Sequence, residues 1–160
     1  MAKLEFEGIS EYITSLERIA GKTDGVAKKA LYEGAAVVAD EVRAAVNALP
    51  TDERWGTSTN PANGIRAEQK EALAAGLGLA SFQKDGDMIN TLLGFSGYST
   101  YKTKKFPNGQ PLALIARVAE SGTSFTKKAP FFRKAVNKAK QRATAEMAKV
   151  FEEEINKIKE

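Results

Sequence analysis

Apolar residues recur along this chain with two different periods, and the changes of period mark its elements. Residues 3–7 alternate, with Leu4 and Phe6 on one side and Lys3, Glu5 and Glu7 on the other, which predicts a short half-buried strand ending at Gly8. Ser10 is then placed to cap a short helix over 11–20 that buries Tyr12, Ile13, Leu16 and Ile19, with Gly21 at its end. Asp24 can cap a long helix over about 25–48. There Val26, Ala30, Gly34, Val38, Val42 and Val46 follow an i, i+4 series before Pro50 ends it. The stripe is narrow and rich in small residues, so another element is expected to cross it closely at Gly34. A second long helix is predicted over about 130–158, where Phe132, Ala135, Val136, Ala139, Ala143, Met147, Val150, Phe151, Ile155 and Ile158 make one apolar face.

Between the long helices the pattern shortens. A helix over about 67–76 is followed by a hairpin, Leu77–Gln83 and Met88–Phe95, turning at Asp85-Gly86. A short helix over 111–121 would turn Leu114, Ile115, Val118 and Ala119 inward. Two polar stretches lack periodicity. In 50–66, PTDERWGTSTNPANGIR, Pro, Gly and Asn disfavour regular structure, and Trp55, the only tryptophan, either folds back on the body or serves as a docking anchor. In 96–110 the aromatics Tyr98, Tyr101 and Phe106 stand among Lys102, Lys104 and Lys105. That mixture suits stacking on single-stranded nucleic acid or an edge extension that contacts a neighbouring subunit. The whole reads as a single α+β domain over residues 1–160: a small antiparallel sheet (the first strand plus the hairpin 77–95) on two long helices, with flexible loops about 50–66 and 96–110. Neither long helix sustains the heptads of a free-standing coiled coil.

Composition narrows the chemistry. The 160 residues include no Cys and no His. Disulfides, thiolate nucleophiles, Ser-His-Asp triads and the usual transition-metal ligands are therefore excluded. No phosphate-binding or nucleophile-elbow motif is present, and the paired carboxylates (Asp40/Glu41, Asp52/Glu53, Asp85/Asp87 and Glu152–Glu154) read as helix faces, turns and a solvated helix end. No enzyme, no cofactor and no metal site is expected. Without a signal-peptide core or a membrane-length apolar window, the expectation is a soluble protein with no membrane contact.

The net charge of +4 hides an asymmetry. Residues 1–80 hold 9 bases and 12 acids, whereas residues 81–160 hold 15 and 8. Within 102–142 there are eleven bases and one acid, Glu120, for which an ion pair with Arg133 or Arg117 is expected. Such a block could attract phosphates or an acidic protein face.

One segment stands apart: Glu120-Ser121-Gly122-Thr123, a short spacer, then Ala129-Pro130-Phe131-Phe132-Arg133-Lys134-Ala135. Gly122 permits a sharp turn, Pro130 suits the first position of the final helix, and Phe131 and Phe132 would anchor its first turn. This arrangement resembles the signature of the small tail-completion, or head–tail joining, proteins of tailed double-stranded DNA phages and prophages. Leu4–Gly8, Lys28–Val46 and Asp85–Tyr98 are similar to that family too, so the resemblance runs colinearly over nearly the whole chain. Ser121 departs from it, standing where the family often has an aromatic residue, and the loop 50–66 carries no family motif. The resemblance implies a structural virion protein. It would form a homo-oligomeric ring, a hexamer in the virion, at the head-proximal end of the tail. Its partners would be the tail tube and connector proteins, with DNA passing along the axis. Assembly would take place in the bacterial host cytoplasm. The alternative is a small basic nucleic-acid-binding protein using 102–142.

Overall fold

The computed structural model describes the backbone of residues 9–159 and the side chains of residues 17–159. The expected strand over 3–7 lies outside the described residues. Among the described residues, four helices and one interrupted hairpin make an α+β fold, in the order α1 (Ile9–Asn47), α2 (Ala67–Gly76), β1 (Leu77–Leu79), β2 (Gln83–Asp85), β3 (Met88–Asn90), β4 (Leu93–Phe95), α3 (Leu112–Ser121) and α4 (Phe132–Lys159).

Helix α1 is one element of 39 residues, not two. The expected break at Gly21–Asp24 is absent because neither Gly21 nor Gly25 takes a positive φ. The Thr23 hydroxyl donates back to the Ile19 carbonyl (2.8 Å), so the helix continues through it. Asp24, read as a cap, instead pairs with Lys84 of the hairpin. Two glycines cost about 1 kcal/mol each against Ala, and packing of the next turns offsets this: Val26 and Ala30 are buried. The i, i+4 stripe of the sequence is buried at Val26, Ala30, Val42 and Val46.

Helix α4 runs antiparallel to α1 along that stripe. Three cross-links fix the register. Glu41 accepts from both Lys138 (2.5 Å) and Arg142 (2.6 Å), Met147 lies over Gly34, and Lys29 pairs with Glu154 (2.6 Å). Part of the basic block is thus neutralised inside the chain, one acid of α1, Glu41, against two bases of α4, while Lys29–Glu154 runs in the opposite sense. Lys138 first, then Arg142, holds the Glu41 carboxyl below the ordinary Glu range. Lys157 and Lys29 together hold Glu154 at about 2. On α4 the buried positions are Ala135, Ala139, Ala143, Val150 and Ile158. Phe151, expected in the stripe, is exposed, because Ala and Val fill the narrow space against α1 and the ring is turned outward.

The close crossing expected at Gly34 is present: a Cβ there would overlap the Met147 side chain. Gly34→Ala is accordingly expected to destabilise by up to about 2 kcal/mol in urea denaturation, the overpacking cost of ~1–3 kcal/mol less the helix-propensity gain of about 1 kcal/mol. A stabilised variant would show that Met147 moves aside freely.

The hairpin packs along α1, with Leu77, Leu93 and Phe95 against the core. Its two ladders pair Leu77 with Phe95 and Leu79 with Leu93, then Gln83 with Asn90 and Asp85 with Met88. Between them three residues (80–82) face two (91–92), so the first strand bulges. The Ala80 N–H still reaches the Leu92 carbonyl (2.8 Å). The turn centres on Gly86-Asp87, one residue later than the Asp85-Gly86 expected. Gly86 has φ 57° and Asp87 a negative φ, the arrangement in which glycine at the first central position is favoured.

The core collects where α1 ends: Val42, Val46 and Leu49, with Ile65, Leu73 of α2, Leu112, Ile115 and Ala119 of α3, and Phe131 and Ala135. Helix α3 therefore faces inward through 112, 115 and 119. Leu114, expected inside, is 37% exposed, and it shares with Val118 a second face that lines a surface cleft.

Candidate functional site

The two irregular stretches of the sequence meet at the end of the molecule where α1 stops and α4 begins. The loop 50–66 is irregular but closely tied. Asp52 N–H donates to the Ile65 carbonyl (2.9 Å), Ala62 N–H to Phe125 (2.8 Å), and Lys127 N–H to Ala62 (2.9 Å). Glycine is required where these backbones touch: a Cβ on Gly56 would fall on the Phe125 carbonyl, and one on Gly64 on that of Pro50. The carboxylate of Asp52 accepts from the Arg54 guanidinium (2.7 Å) and from the Asn63 N–H (2.8 Å). The Arg54 guanidinium first, then the backbone N–H groups of Asn63 and Arg54, holds it far below the usual carboxylate range. Glu53 Oε1 accepts from Ala67 N–H (2.8 Å) at the start of α2. Both acids are structural, as their reading as turn formers implied, and Glu53 is in addition a helix cap.

The stretch 96–110 doubles back as a finger. Ser99 N–H donates to the Gln110 carbonyl (2.9 Å), and Thr103 and Phe106 exchange two backbone bonds (3.1 Å each). Its base carries Tyr101 to the loop opposite. The Tyr101 and Trp55 ring centroids are 6.2 Å apart. The Arg66 guanidinium lies 4.7 Å from the Tyr101 centroid and 5.8 Å from that of Trp55. Glu53 fixes that guanidinium through its carboxylate (3.0 Å) and its carbonyl (2.9 Å). Arg66 was invisible as a site residue in the sequence, because its neighbours come from two loops far apart in the chain.

This Trp–Arg–Tyr rim overlooks a cleft of about 490 Å³ floored by Leu114, Ile115, Val118 and Phe125. Trp55 is 75% exposed, so it does not fold back into the body. Of the other residues singled out, Tyr98 is exposed beside the finger without lining the cleft. Phe106 is half-buried under Lys105, whose ammonium lies 5.6 Å from the ring centroid. Lys102, Lys104 and Lys105 are exposed, and no carboxylate lies within ion-pair distance of them among the described residues.

The segment with the distinctive pattern forms the joint between α3 and α4. Gly122 ends α3 with φ 73°, and a Cβ on it would stand 2.8 Å from the Lys128 nitrogen. Thr123 Oγ1 accepts from Phe125 and Thr126 N–H (3.1 Å each), and Ala129 N–H donates to the Ala119 carbonyl (2.8 Å). Helix α4 begins at Phe132, two residues later than Pro130 suggested. The expected ion pair of Glu120 is not formed. Its carboxylate instead accepts from the backbone N–H groups of Phe131 (2.7 Å), Phe132 (2.9 Å) and Arg133 (3.3 Å). Burial alone would raise the Glu120 carboxyl, but these three bonds, helped by the nearby Arg133 charge, hold it below the ordinary Glu value.

Among the described residues no group of acids is arranged to hold a metal ion, and no helix is long and apolar enough to cross a membrane. No protein-family model, curated protein or solved structure matches the chain.

Trp55→Ala is expected to change stability by no more than about 0.5 kcal/mol, as is usual for an exposed side chain, and thermal unfolding checks this. Deleting 52–64 would not be an equivalent test, because that segment also carries buried Ala62 and the bonds of Asp52. A loss above ~1.5 kcal/mol in Trp55→Ala would make the ring part of the core.

Proposed function

We propose that this chain is a structural virion protein, a tail-completion or head–tail joining subunit that assembles as a ring at the head-proximal end of a phage tail. The observation that carries the reading is the colinear pattern ending in Glu120-x-Gly122-Thr123 and Ala129-Pro130-Phe131-x-Arg133. These residues converge on one backbone joint rather than on a reactive centre. An assembly subunit needs a stiff frame and exposed contact groups, and the frame here is the α1–α4 pair. The contact groups are the Trp55–Arg66–Tyr101 rim and the lysine finger. A ring subunit must present two different side faces, and the exposed apolar residues fall at separate places: Trp55 and Phe125 at the cleft, Tyr32, Met88 and Leu92 on α1 and the hairpin.

The nucleic-acid reading is weaker. Lys138 and Arg142 of the basic block are occupied by Glu41, and the two arginines at the cleft are already paired with Asp52 and Glu53.

Inactivating the gene in its phage or prophage tests the role. The expected result is separate heads and tails, with joined particles restored by the wild-type chain and reduced at least tenfold with Trp55→Ala. Joined, infectious particles in the complete absence of the protein would overturn it.

A further inference from the structure

We infer that the cleft beneath Trp55 is a docking site for the N-terminal segment, Leu4-Glu5-Phe6-Glu7, of a second copy of this chain. The inference deepens the proposed self-assembly and rests on it.

Three observations converge on that occupant. The first is the chemistry of the cleft. Its floor, Leu114, Ile115, Val118 and Phe125, is apolar, and Phe125 is 57% exposed. Such a floor takes apolar side chains rather than a phosphate backbone. The cations at its mouth, Arg54 and Arg66, are neutralised by Asp52 and Glu53, whose carboxylates would repel phosphates. The uncompensated charge lies just outside, on the finger that carries Tyr101: Lys102, Lys104 and Lys105 are exposed. The matching ligand is therefore a short segment that alternates apolar and acidic residues.

The second is that the chain itself contains such a segment. In residues 4–7 Leu and Phe alternate with two Glu. With period two, both apolar side chains fall on one side and both carboxylates on the other. Leu4 and Phe6 would enter the cleft while Glu5 and Glu7 meet the lysines.

The third is reach, which decides between own chain and neighbour. Helix α1 has 39 residues, so it is about 58 Å long at 1.5 Å per residue. The cleft lies at its far end, since Asp52 and Arg54 follow directly on the helix. Eight extended residues span at most about 28 Å. The segment cannot return to the cleft of its own chain and can fill only another copy's. Each copy would then give a segment at one end and receive one at the other, a heterologous contact that repeats from subunit to subunit and can close into a ring. Within its own chain the segment could reach the end of α4, where the Ile158 carbonyl accepts from Arg18, or the hairpin tip, which Lys84 ties to Asp24, roughly 23 Å along α1 from Ile9.

The native chain has no cysteine, so paired single-cysteine variants of the full-length protein report the contact directly. Phe6→Cys protein is mixed with Leu114→Cys protein, one of them carrying a mass tag, and oxidised mildly at a concentration where the wild type self-associates. The expected result is a heterodimer at least tenfold more abundant than with Met88→Cys as the partner. The yield should fall at least fivefold when Lys102→Glu, Lys104→Glu and Lys105→Glu are added to the Leu114→Cys chain. Equal yields with both partners would overturn the inference, as would no cross-link. Efficient closure within a single chain carrying Phe6→Cys and Met88→Cys would overturn it too, by placing the segment on its own hairpin. So would low-salt quenching of Trp55 emission by a thymidine oligonucleotide, which would make the cleft a nucleic-acid site. If cross-linking fails while the gene is still required to join heads to tails, the segment is wrong and the assembly role stands.

Discussion

Phe131→Ala is expected to destabilise the protein by about 3–5 kcal/mol, the usual cost of deleting a buried ring and leaving its space unfilled. The ring is 4% exposed and closes the core where α1, α3 and α4 meet. It packs against Phe95 at 6.0 Å and Phe132 at 6.3 Å between centroids, so its loss also removes contacts from the hairpin. Its backbone roles, donating to Glu120 and accepting from Ala135, survive the substitution, which isolates the effect of packing. Phe131→Leu should recover part of the loss, because leucine keeps an apolar side chain in the site and leaves a smaller cavity than alanine does. Phe132→Ala should cost roughly half as much as Phe131→Ala, since that ring is only half-buried. Urea midpoints at constant m check all three. A Phe131→Ala loss below about 1 kcal/mol would mean that the joint can collapse without the ring.

Glu120→Ala is the second large effect, expected at about 2–4 kcal/mol. Hydrogen bonds to a charged acceptor contribute ~1.5–3 kcal/mol, and an anion at a helix N-terminus adds ~0.3–1 kcal/mol. Here one carboxylate serves three backbone donors at the start of α4. Without it, Phe131 and Phe132 N–H lose their acceptor in a region of restricted solvent access. Glu120→Gln keeps one neutral acceptor and should lose about half as much. The pH dependence follows from the depressed carboxyl. A group whose folded pKa lies below its unfolded value contributes its stability above the unfolded pKa and loses it as pH falls through the folded one. The gap between wild type and Glu120→Gln should therefore be full at pH 7 and shrink below the ordinary Glu value of 4.5. The other depressed carboxyls, Asp52, Glu41 and Glu154, are common to both proteins and cancel in that difference. A gap that does not change with pH would show that shape, not charge, is what Glu120 supplies.

Local patterns were legible in the sequence, and long-range partners were not. The bounds of α2 and α3, the buried i, i+4 stripe of α1 and the tight crossing at Gly34 follow from residue periodicity and size. The break expected at Gly21–Asp24 failed because a glycine ends a helix only when a left-handed conformation is rewarded. Here α4 and the hairpin hold the chain helical instead. Phe151 and Leu114 were expected inside on hydrophobicity alone. On α4 the face against α1 is narrow and filled by Ala and Val, so Phe151 is turned outward, whereas α3 faces inward through Leu112, Ile115 and Ala119 and leaves Leu114 to the cleft floor. Glu120 was read by charge, as a partner for Arg133, although its carboxylate is taken up by backbone donors at a helix start. The candidate site was half legible: Trp55, Tyr101 and the lysines could be singled out, whereas Arg66 acquires its role only once the two loops meet.

The proposed joining role requires this chain to close on copies of itself at the end of a tail. Its most direct test is the mass of the full-length protein, measured alone and after mixing with tail tubes and connectors from the same phage or prophage. The expected result is a closed oligomer several times the 17.3 kDa subunit mass, bound at one end of each tube and depleted by Trp55→Ala. A protein that stays at the subunit mass in every mixture, with bare tube ends, would contradict it.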